Sequence, residues 1–131
     1  MKSSNRKRLI PLNKLMKKAQ VIFNAWIRER DAKKLNGICY TCPERGNQAG
    51  HFRHNNNATR FSEIFVNLQG PKCNLYLSGN LGVYAINLIK EHGQETVDKL
   101  LKESYRTKTF SRKDLEAIIK KYSPNRLKAY K

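Results

Sequence analysis

Acid is scarce in this chain. Ten Asp and Glu stand against 27 Lys and Arg in 131 residues, a formal net charge of +17 at pH 7. That imbalance says little about fold, but it makes a polyanion, nucleic acid first, the expected partner. A ribosome-associated role or a merely basic surface is the plainer alternative. Long apolar runs are missing as well. None approaches the roughly 20 residues of a membrane-spanning helix. The opening residues, MKSSNRKRLIPLNKLMKK, have a charged head with no apolar stretch behind it, so no signal peptide is expected. A reducing cytoplasm is therefore the expected location. There are only three cysteines, and in that compartment they point to metal ligands or free thiols rather than disulfides. Internal repeats and composition-shifted linkers are absent too. With 39% hydrophobic residues, one folded domain over residues 12–131 behind a basic tail at 1–11 is expected.

What charge there is gathers at the ends. Residues 1–20 hold seven Lys and Arg and no acid; residues 106–131 hold nine against two acids; residues 81–105 hold three against four. Two basic ends around a near-neutral waist would give two electrostatic grips on a long polyanion, with Lys14, Lys17 and Lys18 in the first. Solvated tails are the plainer reading of the extreme termini. Leu12, Leu15, Met16, Ala19, Ile22, Phe23 and Trp26 recur at three- and four-residue steps, predicting an amphipathic helix over residues 12–30. Asn36 and Gly37 predict a turn, and CYTC a tight cysteine knuckle. A short strand over Ala49–Arg53, a polar loop over 54–61 and a β-prone stretch over 63–69 predict a hairpin with a long loop. Gly70 and Pro71 predict a turn. Helices are expected from Asn80 to about Gly93, around Val97–Leu101, and from Ser111, where Asp114 three places on completes a capping box, to Tyr122. A basic tail is expected over 123–131. The class is α+β, with a core at about 38–92 and a helical part at 93–122.

Chemistry is concentrated around QAGHFRHNNNATRF and KCNLYLSGN. Cys39 and Cys42 make a C-x2-C pair, with Cys73 lying 31 residues beyond. Structural zinc usually takes two such pairs, and Gly70 stands where the fourth thiolate would be. Three sulfurs with a fourth ligand from His54, another side chain or water would tie two knuckles together; otherwise the three pack as small apolar groups. His51 can exchange a proton with water near neutral pH and, beside Gly50, could face a phosphodiester; a structural histidine is the alternative. Asn74 offers an amide oxygen of the hard type Mg2+ prefers, or serves as a loop residue.

Taken in order, FNAWIRERD, CYTC, QAGHF, ATRF, KCN, SGNLGVY and EHGQETVDKL resemble the phage recombination protein family NinG, also called Rap, and its wider kin the HNH or ββα-metal nucleases. The resemblance runs from about Ala19 to Tyr122. It implies a small HNH-like, treble-clef-like ββα-metal core with a zinc-knuckle remnant, flanked by helices. It also implies a phage-encoded, structure-selective endonuclease for branched, Holliday-junction-like DNA in recombination. His51 matches the general base. Asn74 matches the ligand of a catalytic Mg2+ or Mn2+. Arg60 would steady the phosphate, with Arg53, His54 and Lys72 along the DNA. Cys39, Cys42 and Cys73 would hold zinc. Two cuts across a junction would need two sites, hence a homodimer. The pattern departs at Gly70, at Gln48 where an acid often stands, and at Phe65, which takes the place of the middle asparagine that braces the base-bearing loop. The competing expectation is a non-catalytic basic module that grips DNA; an RNA-binding role comes third.

Overall fold

The computed structural model describes residues 9–124. The basic ends at 1–8 and 125–131 lie outside the described residues, and with them most of both predicted tails.

Helix α1 (Leu12–Lys34) follows Pro11. Leu15, Ala19, Phe23 and Ile27 are buried at four-residue steps, which makes one face of the helix a continuous apolar stripe. A helix ending near Arg30 is corrected: α1 runs on to Lys34 because the next stripe position, the fully buried Asp31, is neutralised by its neighbour. Arg30 donates to both Asp31 oxygens, Nε to Oδ1 at 2.8 Å and Nη2 to Oδ2 at 3.0 Å. Asn36 and Gly37, at φ 55° and 73°, then end the helix in the left-handed region.

Strands β1 (Gln48–His51) and β2 (Val66–Gln69) pair antiparallel, with Gln48 opposite Gln69 and His51 opposite Val66. Both strands are shorter than the β-prone residues predicted. Arg53 lies beyond β1. Before β2, the hydroxyl of Ser62 accepts the N–H groups of Ile64 and Phe65, holding those residues in a turn. Every β2 residue is buried, polar ones included, because both faces of the hairpin are covered. Side chains alternate across a strand. Val66 and Ala49 join Phe23, Ile27 and Tyr122 on the α1 face. On the other face Phe65 packs with Phe52, Tyr84 and Leu88 of α2 (Leu81–His92).

On that second face Asn67 faces Gly50 across the ladder. A Cβ on Gly50 would lie 1.9 Å from Gln69 Oε1, so the glycine makes room for a buried glutamine. Gln69 Nε2 in turn donates to Thr41 Oγ1 and Gly79 O, each at 2.9 Å. Tyr84 donates its hydroxyl to Gly50 O at 2.7 Å. After β2, where a plain turn was predicted, Lys72–Tyr76 form a single π-helical turn that leads into α2. Helix α3 (Gln94–Glu103) adds Val97, Leu100 and Leu101 to the α2 side. Helix α4 (Arg112–Tyr122) begins at the predicted Ser111–Asp114 capping box and packs on α1, with the Tyr122 ring 4.8 Å from Phe23 and 4.9 Å from Trp26. The architecture is α+β: a two-stranded sheet between α1 and α2, with α3 and α4 outside.

Candidate functional site

Two clusters flank the hairpin. The first is sulfur. The Sγ atoms of Cys39, Cys42 and Cys73 all lie within 4.8 Å of one another, although 31 residues separate the last two. The knuckle is shaped by Cys39 N–H donating to Glu44 O at 2.7 Å and Gly46 N–H to Gly37 O at 2.8 Å; the π-turn delivers Cys73. Burial alone would raise the Cys39 thiol. The Thr41 hydroxyl and the backbone N–H groups of Gly70 and Thr41 outweigh it and bring the thiol below its usual range. Cys42 is pushed up to about 11, by burial first and then by its two sulfur neighbours, despite the N–H of Glu44. Three thiols at this spacing, with N–H donors aimed at one sulfur, can hold a metal ion such as zinc. Among the described residues no imidazole belongs to the cluster, and His54 does not stand with the three sulfurs. Nor can Gly70 be read as a vacant cysteine position, because a Cβ there would stand 2.6 Å from Arg45 O.

The second cluster surrounds His51. Gln20, His51, Asn55, Asn56 and Arg60 line a cavity of about 140 Å³. The asparagines, residue by residue, build its rim. Asn55 takes a left-handed φ of 49°. Asn56 Oδ1 accepts Thr59 N–H at 3.0 Å and the Thr59 hydroxyl at 2.9 Å, while its amide donates to Ser104 O at 2.6 Å. Asn57 donates to Lys108 O and accepts from Arg60 Nη1 at 2.8 Å. The loop is thus pinned to the residues after α3 as well as to α1. Arg60 Nε donates to Gln20 Oε1 at 2.8 Å. Gln20 Nε2 donates to Arg60 O at 3.0 Å and to Asn24 Oδ1 at 2.9 Å. His51 Nε2 stands 3.2 Å from Asn24 Oδ1.

His51 is pushed down to about 4, by burial first and then by the charges of Arg60 and His54. The ring is therefore neutral through the physiological range. A histidine whose folded value lies below its unfolded 6.5 favours the folded state while unprotonated, and that stability is lost as pH falls from about 6.5 toward 4. Denaturant unfolding at pH 7 and pH 4.5 is expected to show a stability loss on the order of 2 kcal/mol that His51→Gln removes. An unchanged loss in the variant would assign it to other groups.

Sequence-predicted residues fall into three sets. His51 and Arg60 meet in the cavity. Asn74 does not line it: its amide donates to Gln48 Oε1 at 2.7 Å. Gln48 and His51 are three residues apart on β1, so alternation turns their side chains to opposite faces. Among the described residues nothing donates to Asn74 Oδ1. Arg53 stacks its guanidinium 4.9 Å from the Tyr105 ring centre. His54 is exposed and lies against Gly79. Lys72 is exposed and stands 3.6 Å from Glu44. Lys14, Lys17 and Lys18 are exposed along α1. Sequence reasoning missed Gln20 and Asn24; their four-residue spacing on one helix was the available signal. Phe65 is core, 5.1 Å from the Phe52 ring, whereas Asn67 donates to Ile64 O at 2.8 Å and accepts from Arg30 Nη2 at 3.0 Å. None of the helices among the described residues is long and apolar enough to cross a membrane.

Residues 2–131 match the family model described as Bacteriophage Lambda NinG protein. Protein ninG of Escherichia phage 933W is 35% identical over 116 residues, 87% of this chain and 57% of that protein. Protein ninG of Escherichia phage lambda is 39% identical over 94 residues, 70% of this chain and 46% of that protein. Protein ninG of Salmonella phage P22 is 33% identical over 116 residues, 87% and 57% respectively. The chain thus spans about half the length of the relatives it matches. No solved structure matches it.

Proposed function

The chain belongs to the NinG family of bacteriophage proteins, and we propose that it is a metal-dependent endonuclease of the HNH kind, cutting branched DNA in phage recombination with His51 as general base. One observation carries the reading: a neutral imidazole and a guanidinium line the same small, amide-rimmed cavity on a chain of charge +17. The strand–strand–helix order of the core supports it.

In this reading Arg60, braced by Gln20 and Asn57, pairs with a non-bridging phosphate oxygen. The bound anion offsets the Arg60 charge that depresses His51, so the imidazole becomes more basic when substrate arrives. His51 takes one proton from a water. The water oxygen bonds phosphorus, and the bond to the leaving oxygen breaks with its electron pair on that oxygen. Among the described residues no carboxylate lines the cavity, so an ion there would keep most of its waters and take phosphate oxygens for the rest of its shell. The expected ligand, Asn74 Oδ1, does not line this cavity, because Asn74 is tied to Gln48 on the other face of β1 and does not fit an ion placed beside His51. Mg2+ or Mn2+ bound there would supply charge stabilisation at the leaving oxygen. The three-cysteine cluster would hold zinc as a structural fastener. Two symmetric cuts would take a homodimer, acting in the host cytoplasm.

A second reading has its own support. Asn74 is tied to Gln48, on the face of β1 away from His51, and this favours a module that grips branched DNA through its cationic surface without cutting it. The two readings separate on junction, flap and duplex DNA with Mg2+ or Mn2+. Nuclease activity is expected in the wild type, and His51→Ala is expected to slow it about 10²–10⁴-fold with DNA affinity retained. A wild type that binds in a salt-dependent manner but nicks none of the three leaves the second reading standing.

A further inference from the structure

The proton placement around His51 follows from one arginine. Arg60 Nε can only donate, so the Gln20 atom 2.8 Å from it is the carbonyl oxygen. The Gln20 nitrogen then faces the other way, where it also meets the carbonyl of Arg60 at 3.0 Å, an atom that can only accept. Gln20 Nε2 therefore donates to Asn24 at 2.9 Å, which fixes that Asn24 atom as Oδ1. An amide oxygen cannot donate, so the neutral imidazole 3.2 Å away must carry its hydrogen on Nε2. Two ends of known polarity leave no freedom in the middle of the chain.

We infer that Gln20 and Asn24 on α1 are positioning residues for His51: the chain Arg60–Gln20–Asn24–His51 locks the ring with Nε2 protonated and leaves Nδ1 as its basic atom. The same glutamine holds the guanidinium. Phosphate-binding group and base are thereby set in register by two hydrogen-bonded side chains on one 23-residue helix, with Asn57 of the loop as a second hold on Arg60. As a statement about catalysis this rests on the nuclease reading; as a statement about the tautomer it does not.

The test is nitrogen-detected NMR of the histidine rings in the full chain at pH 7. Wild type is expected to show His51 with Nε2 protonated. Asn24→Leu, which removes the acceptor, is expected to lose that single tautomer, and Gln20→Ala, which frees the Asn24 amide to turn, to lose it as well. Asn24→Asp keeps an acceptor oxygen for both donors and is expected to restore it. In the cleavage assay Asn24→Leu is expected to lower kcat about tenfold or more with KM nearly unchanged. A wild-type ring protonated on Nδ1, or an Asn24→Leu tautomer identical to wild type, overturns the inference. An Nε2–H ring in a wild type that cuts nothing sinks the nuclease reading and leaves the hydrogen-bonded chain intact.

Discussion

Serine at Cys39, Cys42 or Cys73, or removal of bound metal by a chelator, is expected to lower the thermal midpoint by about 10 °C or more. Besides the sulfurs, the segments that carry the three thiols are joined by a few side-chain contacts: Gln69 Nε2 spans Thr41 and Gly79, Asn80 Nδ2 spans Thr41 O and Cys73 Sγ, and Lys72 lies 3.6 Å from Glu44. On the π-turn Leu75 and Tyr76 are exposed, as is Leu77 just after it, leaving Cys73 as the turn's one buried residue. The knuckle is closed by a single isolated bridge between Ile38 and Arg45. A metal across three sulfurs would join these two pieces, and its binding free energy would then count toward folding. Elemental analysis is expected to find about one zinc per chain, lost in each serine variant. The thiols must shed protons to bind, so affinity should fall as pH falls. Restoring a fourth cysteine is expected to fail. Gly70→Cys would push a Cβ to 2.6 Å from Arg45 O, and it would also disturb the N–H that Gly70 gives to Cys39. The variant should be less stable than wild type, with or without metal. Protein that carries no metal and melts identically with and without chelator would show the cluster to be three reduced core thiols.

Local rules made part of this legible. The helical period that begins at Leu12 and the Ser111–Asp114 box are short-range patterns; the box formed where the residues said it would, and of the apolar positions named for the helix Leu15, Ala19 and Phe23 are buried while Leu12 is exposed. The C-x2-C pair also announced a knuckle. What could not be read were positions whose meaning comes from a distant partner. Asp31 looks like the end of an apolar stripe until Leu68 N–H reaches its Oδ2 at 2.9 Å. Asn67 and Gln69 look like the solvent face of β2, yet both are buried because α2 and the knuckle cover that side. Gln20 and Asn24 sit four apart in plain view. Their roles depend on Arg60 and His51, 40 and 27 residues away. The asparagines after His51 likewise depend on distant partners, because much of their hydrogen bonding shapes the loop and anchors it to Ser104 and Lys108.

Arg30→Ala is expected to destabilise the fold by about 3–5 kcal/mol, read as a shift of the urea midpoint at unchanged slope. The pair is not a surface ion pair: the side chain of Arg30 is 19% exposed and that of Asp31 0%. Besides both Asp31 oxygens, the guanidinium donates to Glu63 O at 2.7 Å, Val66 O at 3.1 Å and Asn67 Oδ1 at 3.0 Å. It therefore satisfies the turn before β2 and the strand's first two residues together. Alanine would leave a buried carboxylate with the N–H of Leu68 and no cation, and would strand those other oxygens. Asp31→Asn should cost less, because it keeps an acceptor for Leu68 and removes the charge. Combined with Arg30→Met it should cost less than the two single changes added, since no uncompensated charge remains. Cleavage, if present, should fall only with the folded fraction, since Arg30 supports β2 and lies outside the His51 cavity. A loss under about 1 kcal/mol for Arg30→Ala would put this pair among solvent-screened contacts and leave packing alone to hold α1 against the hairpin.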